Sequence, residues 1–175
     1  MQQSKQQQFL ALYEPVHERF ERFCRARVYG KMEFRDLMHE TLLVAYEKIE
    51  TLKSPDAFLT FLIGISIRIL ANRNRKKQEL HFHDEKRVYT VPDTTLLSSD
   101  EADIHFLCEA LAQLPEEQQE SLILFEISGF SIREIAAMHN ATESAVKQRL
   151  KRGREKLTAL LVPESELKTG DTHHG

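Results

Sequence analysis

Residues 131–157 read SIREIAAMHNATESAVKQRLKRGREKL: a compact apolar stretch, a three-residue break, then a second stretch crowded with Lys and Arg. Ser131 and Glu134 have the spacing of a capping box, in which side chain and backbone satisfy each other's free groups. A helix is therefore expected from Ile132 to about Met138, burying Ile132, Ile135 and Ala136. His139-Asn140-Ala141 makes the break. Asn140 can adopt the left-handed backbone that a tight turn between helices demands, and Thr142 carries the hydroxyl to cap the next helix. At about 100° per residue, Val146, Leu150, Gly153 and Leu157 fall in one narrow arc, the expected buried stripe. Ser144, Gln148 and Lys151 point the opposite way, flanked by Lys147 and Arg152, with Arg149 and Arg154 nearer the core boundary.

A short capped helix, a tight turn and a longer helix with a polar, basic outer face form the layout of a helix-turn-helix, whose second helix enters the major groove of DNA. The competing reading is an ordinary solvated charge run. Between Lys147 and Lys156 only Glu155 balances the bases, although acids abound nearby at Glu116, Glu117 and Glu120. A solvated face mixes both signs, whereas a face of one sign suits a polyanion, so DNA binding is the favoured reading.

Upstream, a helix is expected from Pro115 to Gly129, and another after Ser98, where Ser98 and Glu101 repeat the capping-box spacing and Ile104, Leu107, Cys108 and Leu111 form a stripe. Residues 78–98 lose all period and read as a linker. Before them, residues 5–28 place Phe9, Leu12, Val16, Phe20 and Phe23 on one helix face, closed by Gly30. Residues 33–50 repeat the pattern with Phe34, Leu37, Thr41, Val44 and Ala45. A third helix opens at Ser54-Pro55 and runs to about Lys77, apolar nearly all round in its first half. With no strand-like alternation, the expected fold is all-α: two small helical domains, residues 1–77 and 99–162, joined by an irregular linker, 78–98, and followed by a flexible tail, 163–175.

The 175 residues carry a formal net charge of −3 and are 41% hydrophobic, enough for ordinary cores but not the overall basic balance common in nucleic-acid-binding domains. The case for DNA rests on where the charge sits. Cys24 and Cys108 lie far apart in helical patterns and read as small core residues in a reducing, cytoplasmic setting. The N-terminus MQQSKQQQ lacks the order of a signal peptide, and the apolar run near Phe58–Leu70 reads as too short to span a bilayer, so no membrane insertion is expected. His81-Phe82-His83-Asp84-Glu85 has zinc-ligand chemistry but no helical or strand scaffold to fix its geometry, so neither metal nor cofactor is expected. No phosphate loop or catalytic constellation is present in the sequence, which argues against an enzyme.

The segment LPEEQQESLILFEISGFSIREIAAMHNATESAVKQRLKRGREKL resembles region 4 of bacterial sigma-70 factors, particularly the short extracytoplasmic-function (ECF) group. The likeness is carried by Leu114-Pro115-Glu116, Gly129-Phe130-Ser131, Glu134-Ile135-Ala136 and Ala145-Val146-Lys147 through Arg149-Leu150, with Arg154 and Leu157. Residues 34–49, FRDLMHETLLVAYEKI, resemble the region 2 helix that grips the polymerase core, and residues 57–77 the following helix, which recognises and opens the −10 element. That third helix departs from the family pattern, with Ile67-Arg68 in place of an Arg-Asn pair and Asn72 in place of an acid.

The resemblance implies a sigma region 2-like bundle and a region 4-like helix-turn-helix domain in a transcription initiation factor. Its partners would be RNA polymerase core and promoter DNA, with room for an anti-sigma factor. It assigns Asp36, Leu37 and Glu40, on the exposed side of the second helix, to the polymerase, though the two acids also suit a helix start and Leu37 equally fits the core. For the −10 strand it implies Phe61, Arg68, Asn72, Arg73, Asn74, Arg75, Lys76 and Lys77. Phe82 and Tyr89 could add stacking but read more naturally as local packing. At the −35 element Ser144, Lys147, Gln148, Arg149, Lys151 and Arg152 belong to the groove helix, and Ser131, Arg133 and Thr142 are placed for backbone contacts. The rival is a sigma-like decoy for an anti-sigma factor that binds proteins without directing transcription.

Overall fold

A computed structural model describes residues 3–80 and 97–162. All regular structure among them is helical, and the chain clusters into two compact units, Met1–Thr90 and Val91–Gly175.

In the first unit, α1 spans Lys5–Tyr13, α2 His17–Val28, α3 Phe34–Glu47 and α4 Phe58–Glu79. The single helix expected over 5–28 is in fact two, separated by a 3-10 turn at Glu14–Val16. Pro15 sits in that turn, and with no N–H to donate it cannot continue the ladder. Gly30 closes α2 with φ 73°, the backbone expected of it. Ser54 makes no side-chain cap; a 3-10 turn over Pro55–Ala57 leads into α4 instead.

The core of this unit forms where α4 meets α2 and α3. Phe20, Phe23, Leu37, Phe58, Leu62 and Ile63 are almost completely buried, each contributing about 1.5–3 kcal/mol of transfer free energy. One polar pair is enclosed with them: Thr41 Oγ1 lies 3.0 Å from Ser66 Oγ, which also donates to the Leu62 carbonyl, so neither hydroxyl is stranded. By length and composition the stretch Pro55–Glu79 could cross a membrane, contrary to the expectation that its apolar run is too short. Its apolar side chains, Phe58, Leu59, Leu62, Ile63, Ile65, Ile69 and Leu70, are instead buried in this core.

In the second unit, α5 spans Ser99–Ala112, α6 Glu116–Leu122, α7 Ile132–Met138 and α8 Glu143–Leu161, with a π-type stretch over Ile123–Ile127 extending α6. The Ser98–Glu101 capping box forms as its spacing predicts. The stripe on α5 differs: burial is confined to Cys108, Ala110 and Leu111, while Ile104 is 60% exposed. α5 packs on α8, while Ile104 and Phe106 stay largely exposed. Gly153 sits where α8 packs tightly on α6. A Cβ there would lie 2.9 Å from Leu122 Cδ1 and 3.4 Å from Gln118 Cβ. A glycine inside a helix costs about 1 kcal/mol against alanine, and here that cost is offset by close helix packing.

The helix α4 continues to Glu79, and Ser98 caps α5, so both edges of the expected linker are helix termini. Residues 81–96 of the linker, including His81-Phe82-His83-Asp84-Glu85 and Tyr89, and the tail from 163 lie outside the described residues.

Candidate nucleic-acid interface

The helix-turn-helix assembles from local chemistry. Ser131 N–H donates to Glu134 Oε2 at 2.8 Å and Glu134 N–H to Ser131 Oγ at 3.2 Å, the reciprocal cap that starts α7. Asn140 takes φ 48°, the left-handed turn expected of it. The next amide, Ala141 N–H, then reaches back to the Ala136 carbonyl at 2.9 Å and closes the end of α7. Ala145 N–H donates to Thr142 Oγ1 at 3.1 Å, which caps α8. Both capping hydroxyls are exposed and keep an O–H to donate to a phosphate.

α8 turns Val146, Leu150 and Gly153 inward, with Leu157 half-buried. Ser144, Lys147, Gln148, Lys151 and Arg152 are all exposed, and among the described residues no acid pairs with the three bases. Arg133, on α7, is also exposed. Arg149 differs from its neighbours. Its Nε lies 3.4 Å from Glu117 Oε2, and the side chain is turned toward α6 rather than outward with the others. Arg154 is held likewise: Nε and Nη2 donate to Glu126 Oε1 at 3.1 and 2.8 Å. Glu117 of α6 and Glu126 of the π-type stretch thus neutralise the two arginines nearest the core, and the outward bases stand alone.

In the first unit the last turns of α4 carry no buried residue from Ala71 to Leu80, so Asn72, Arg73, Asn74, Arg75, Lys76 and Lys77 form an exposed, mainly basic extension, with Arg68 exposed one turn earlier. Arg75 Nη2 donates to Asn72 Oδ1 at 3.3 Å. Arg73 is tethered, donating to Glu40 Oε2 and, at 3.8 Å, to Met32 Sδ. Phe61 is half-buried, its ring 6.3 Å from that of Phe58, so only part of it is open for stacking.

The expectation that Leu37 faces a partner is corrected by its complete burial, at 0% exposure: it points into the helix core, where an apolar side chain is most stable. Asp36 and His39 are exposed and Glu40 is partly so. The apolar residue that shares their face is Leu43, 68% exposed and missed by the sequence reading. Its spacing of seven from Asp36 and three from Glu40 was the available signal. Among the described residues no three His, Cys, Asp or Glu side chains converge as a metal site.

Residues 107–157 match the family described as Sigma-70, region 4. Over 130 residues the chain is 34% identical to the ECF RNA polymerase sigma factor EcfG of Rhodopseudomonas palustris, covering 72% of this chain and 70% of that one. Over 151 residues it is 25% identical to the ECF RNA polymerase sigma-E factor of Haemophilus influenzae, covering 78% and 79% respectively. Among solved structures it resembles the sigma factor RpoE from Bartonella quintana, in complex with the anti-sigma factor NepR. The TM-score is 0.67 at 25% identity, over 88% of this chain and 96% of that one.

Proposed function

Since this chain belongs to the ECF family of RNA polymerase sigma factors, we propose that its two units divide the work of transcription initiation: the first grips the polymerase core and opens the −10 element, and the second reads the −35 element. The observation that carries the reading is the outward face of α8, where Ser144, Lys147, Gln148, Lys151 and Arg152 stand exposed while Arg149 and Arg154 are occupied by Glu117 and Glu126. Gln148 has the amide geometry for an adenine edge, and the bases suit phosphates or guanine. Ser131, Arg133 and Thr142 would hold the DNA backbone at the entrance to the motif.

The exposed end of α4 supplies the charge for a single strand, with Arg68, Arg75, Lys76 and Lys77 toward phosphates and Asn72 and Asn74 able to hydrogen-bond displaced bases. On α3, Asp36 and Glu40 meet the polymerase, and Leu43 takes the apolar contact first assigned to Leu37. The protein acts by binding, with no covalent chemistry of its own, in the cytoplasm, where its polymerase works. An anti-sigma factor is a further expected partner, since the similar RpoE is seen bound to NepR. The decoy reading is not favoured, because relatives covering most of the chain are themselves sigma factors.

The test is transcription of fragmented genomic DNA by sigma-free core polymerase with and without this chain, mapping new RNA 5′ ends. New starts sharing two spaced upstream elements are expected. Their absence together with loss of core binding would overturn the reading in favour of the decoy.

A further inference from the structure

Two surfaces with different partners are joined by one ion pair. Arg73, on the basic end of α4, donates to Glu40 of α3, and its second terminal nitrogen faces Met32 Sδ at 3.8 Å. The bases around it behave differently: Arg68, Lys76 and Lys77 are exposed with no ion pair among the described residues. Glu40 follows Asp36 by one helical turn, and Asp36 is an exposed acid without a cation partner among the described residues. The face of α3 that holds Asp36 and Glu40 therefore presents one acid open to a basic partner and a second already engaged. Both side chains of the Glu40–Arg73 pair remain 43% exposed, so the pair is open to competitors from water on either side.

Resting on the assignment of α3 to polymerase and of α4 to the −10 strand, we propose that the Glu40–Arg73 ion pair is an intramolecular latch that withholds Arg73 from DNA until a basic surface of the polymerase takes Glu40. Carboxylate and phosphate compete for the same guanidinium fork, so Arg73 cannot serve both fully. A half-exposed pair is weak enough to be exchanged without unfolding anything. The coupling must be reciprocal: whatever releases Arg73 to DNA by engaging Glu40 is itself bound more tightly when Arg73 is drawn away. Free chain would then bind promoter strands poorly, and core-bound chain better, without a large conformational change.

The test is a double-mutant cycle on the full chain, with a mixed-sequence single-stranded DNA as probe at low salt. Glu40→Gln keeps the size of the side chain and removes its charge. It should raise DNA affinity of the free chain roughly two- to fivefold, the range set by a half-exposed pair. Glu47→Gln, which removes an exposed acid from the same helix, should change it much less. In an Arg73→Gln background the Glu40→Gln gain should vanish. Arg73→Gln alone should strengthen binding to core polymerase, because it frees Glu40. Equal gains from Glu40→Gln and Glu47→Gln would overturn the latch, as would a gain that persists without Arg73 or no detectable DNA binding by Glu40→Gln. Failure of the wild-type chain to bind core polymerase would instead remove the functional assignment, while the DNA cycle still reports on the pair.

Discussion

His139 Nε2 lies 2.7 Å from Glu120 Oε1, with only 8% and 10% of the two side chains exposed, so the turn of the helix-turn-helix meets α6 in a close polar contact that water barely reaches, though its angle falls short of a hydrogen bond. Truncating either partner leaves the other enclosed without its counterpart. His139→Ala and Glu120→Ala should each destabilise the second unit by about 1–3 kcal/mol. Hydrogen exchange of the α6–α8 amides reads this directly, as faster exchange within that unit alone. Unchanged protection in both variants would show that the contact contributes nothing.

The outward and inward bases of α8 should separate in DNA binding. With polymerase-bound chain, Gln148→Ala is expected to cost about 1–3 kcal/mol on its own promoter and little on unrelated DNA. Lys151→Ala should weaken both alike and lower the salt slope by about one ion. Arg149→Ala should affect DNA less than Lys151→Ala, because its guanidinium is already turned to Glu117. A salt titration on both DNAs decides it, and a uniform loss for Gln148→Ala would sink the base-reading role.

Leu37 and Leu43 should behave as opposites. Leu37 is fully buried, so Leu37→Ala should cost about 2–5 kcal/mol of stability through the cavity it leaves. Leu43 is largely exposed, so Leu43→Ala should change stability by no more than about 0.5 kcal/mol yet weaken capture of core polymerase. Denaturant unfolding and a polymerase pull-down measure the two effects, and intact capture by Leu43→Ala would remove that residue from the interface.

The cap of α5 carries a pH dependence. The Ser98 backbone N–H, and secondarily its hydroxyl, hold the Glu101 carboxyl below the usual glutamate range. A lowered acid contributes stability above its unfolded value, and that contribution is lost as pH falls through the folded value. Fraying of α5 should therefore set in below the ordinary glutamate range, about 4.3. A carboxyl NMR titration should show Glu101 titrating low in the wild type. In Ser98→Ala the side-chain bond is lost, so Glu101 should titrate nearer normal, and an unmoved Glu101 would show that the hydroxyl plays no part.

What the sequence determined by itself was the chemistry closed within a few residues. The capping boxes at Ser98–Glu101 and Ser131–Glu134, the left-handed Asn140 and the Thr142 cap all appear as their spacing predicts, because donor and acceptor lie within one turn of chain. The inward stripe of α8 was equally legible, since 3.6-residue periodicity needs no partner to be seen. The stripe of α3 was legible in the same way, since it already carried Leu37, which the family likeness alone turned outward. Only tertiary structure decided which bases are free. Glu126 reaches Arg154 across 28 residues of sequence and Glu40 reaches Arg73 across 33. Such pairs form because folding brings separate helices within hydrogen-bond range, a proximity that no local pattern of charge contains.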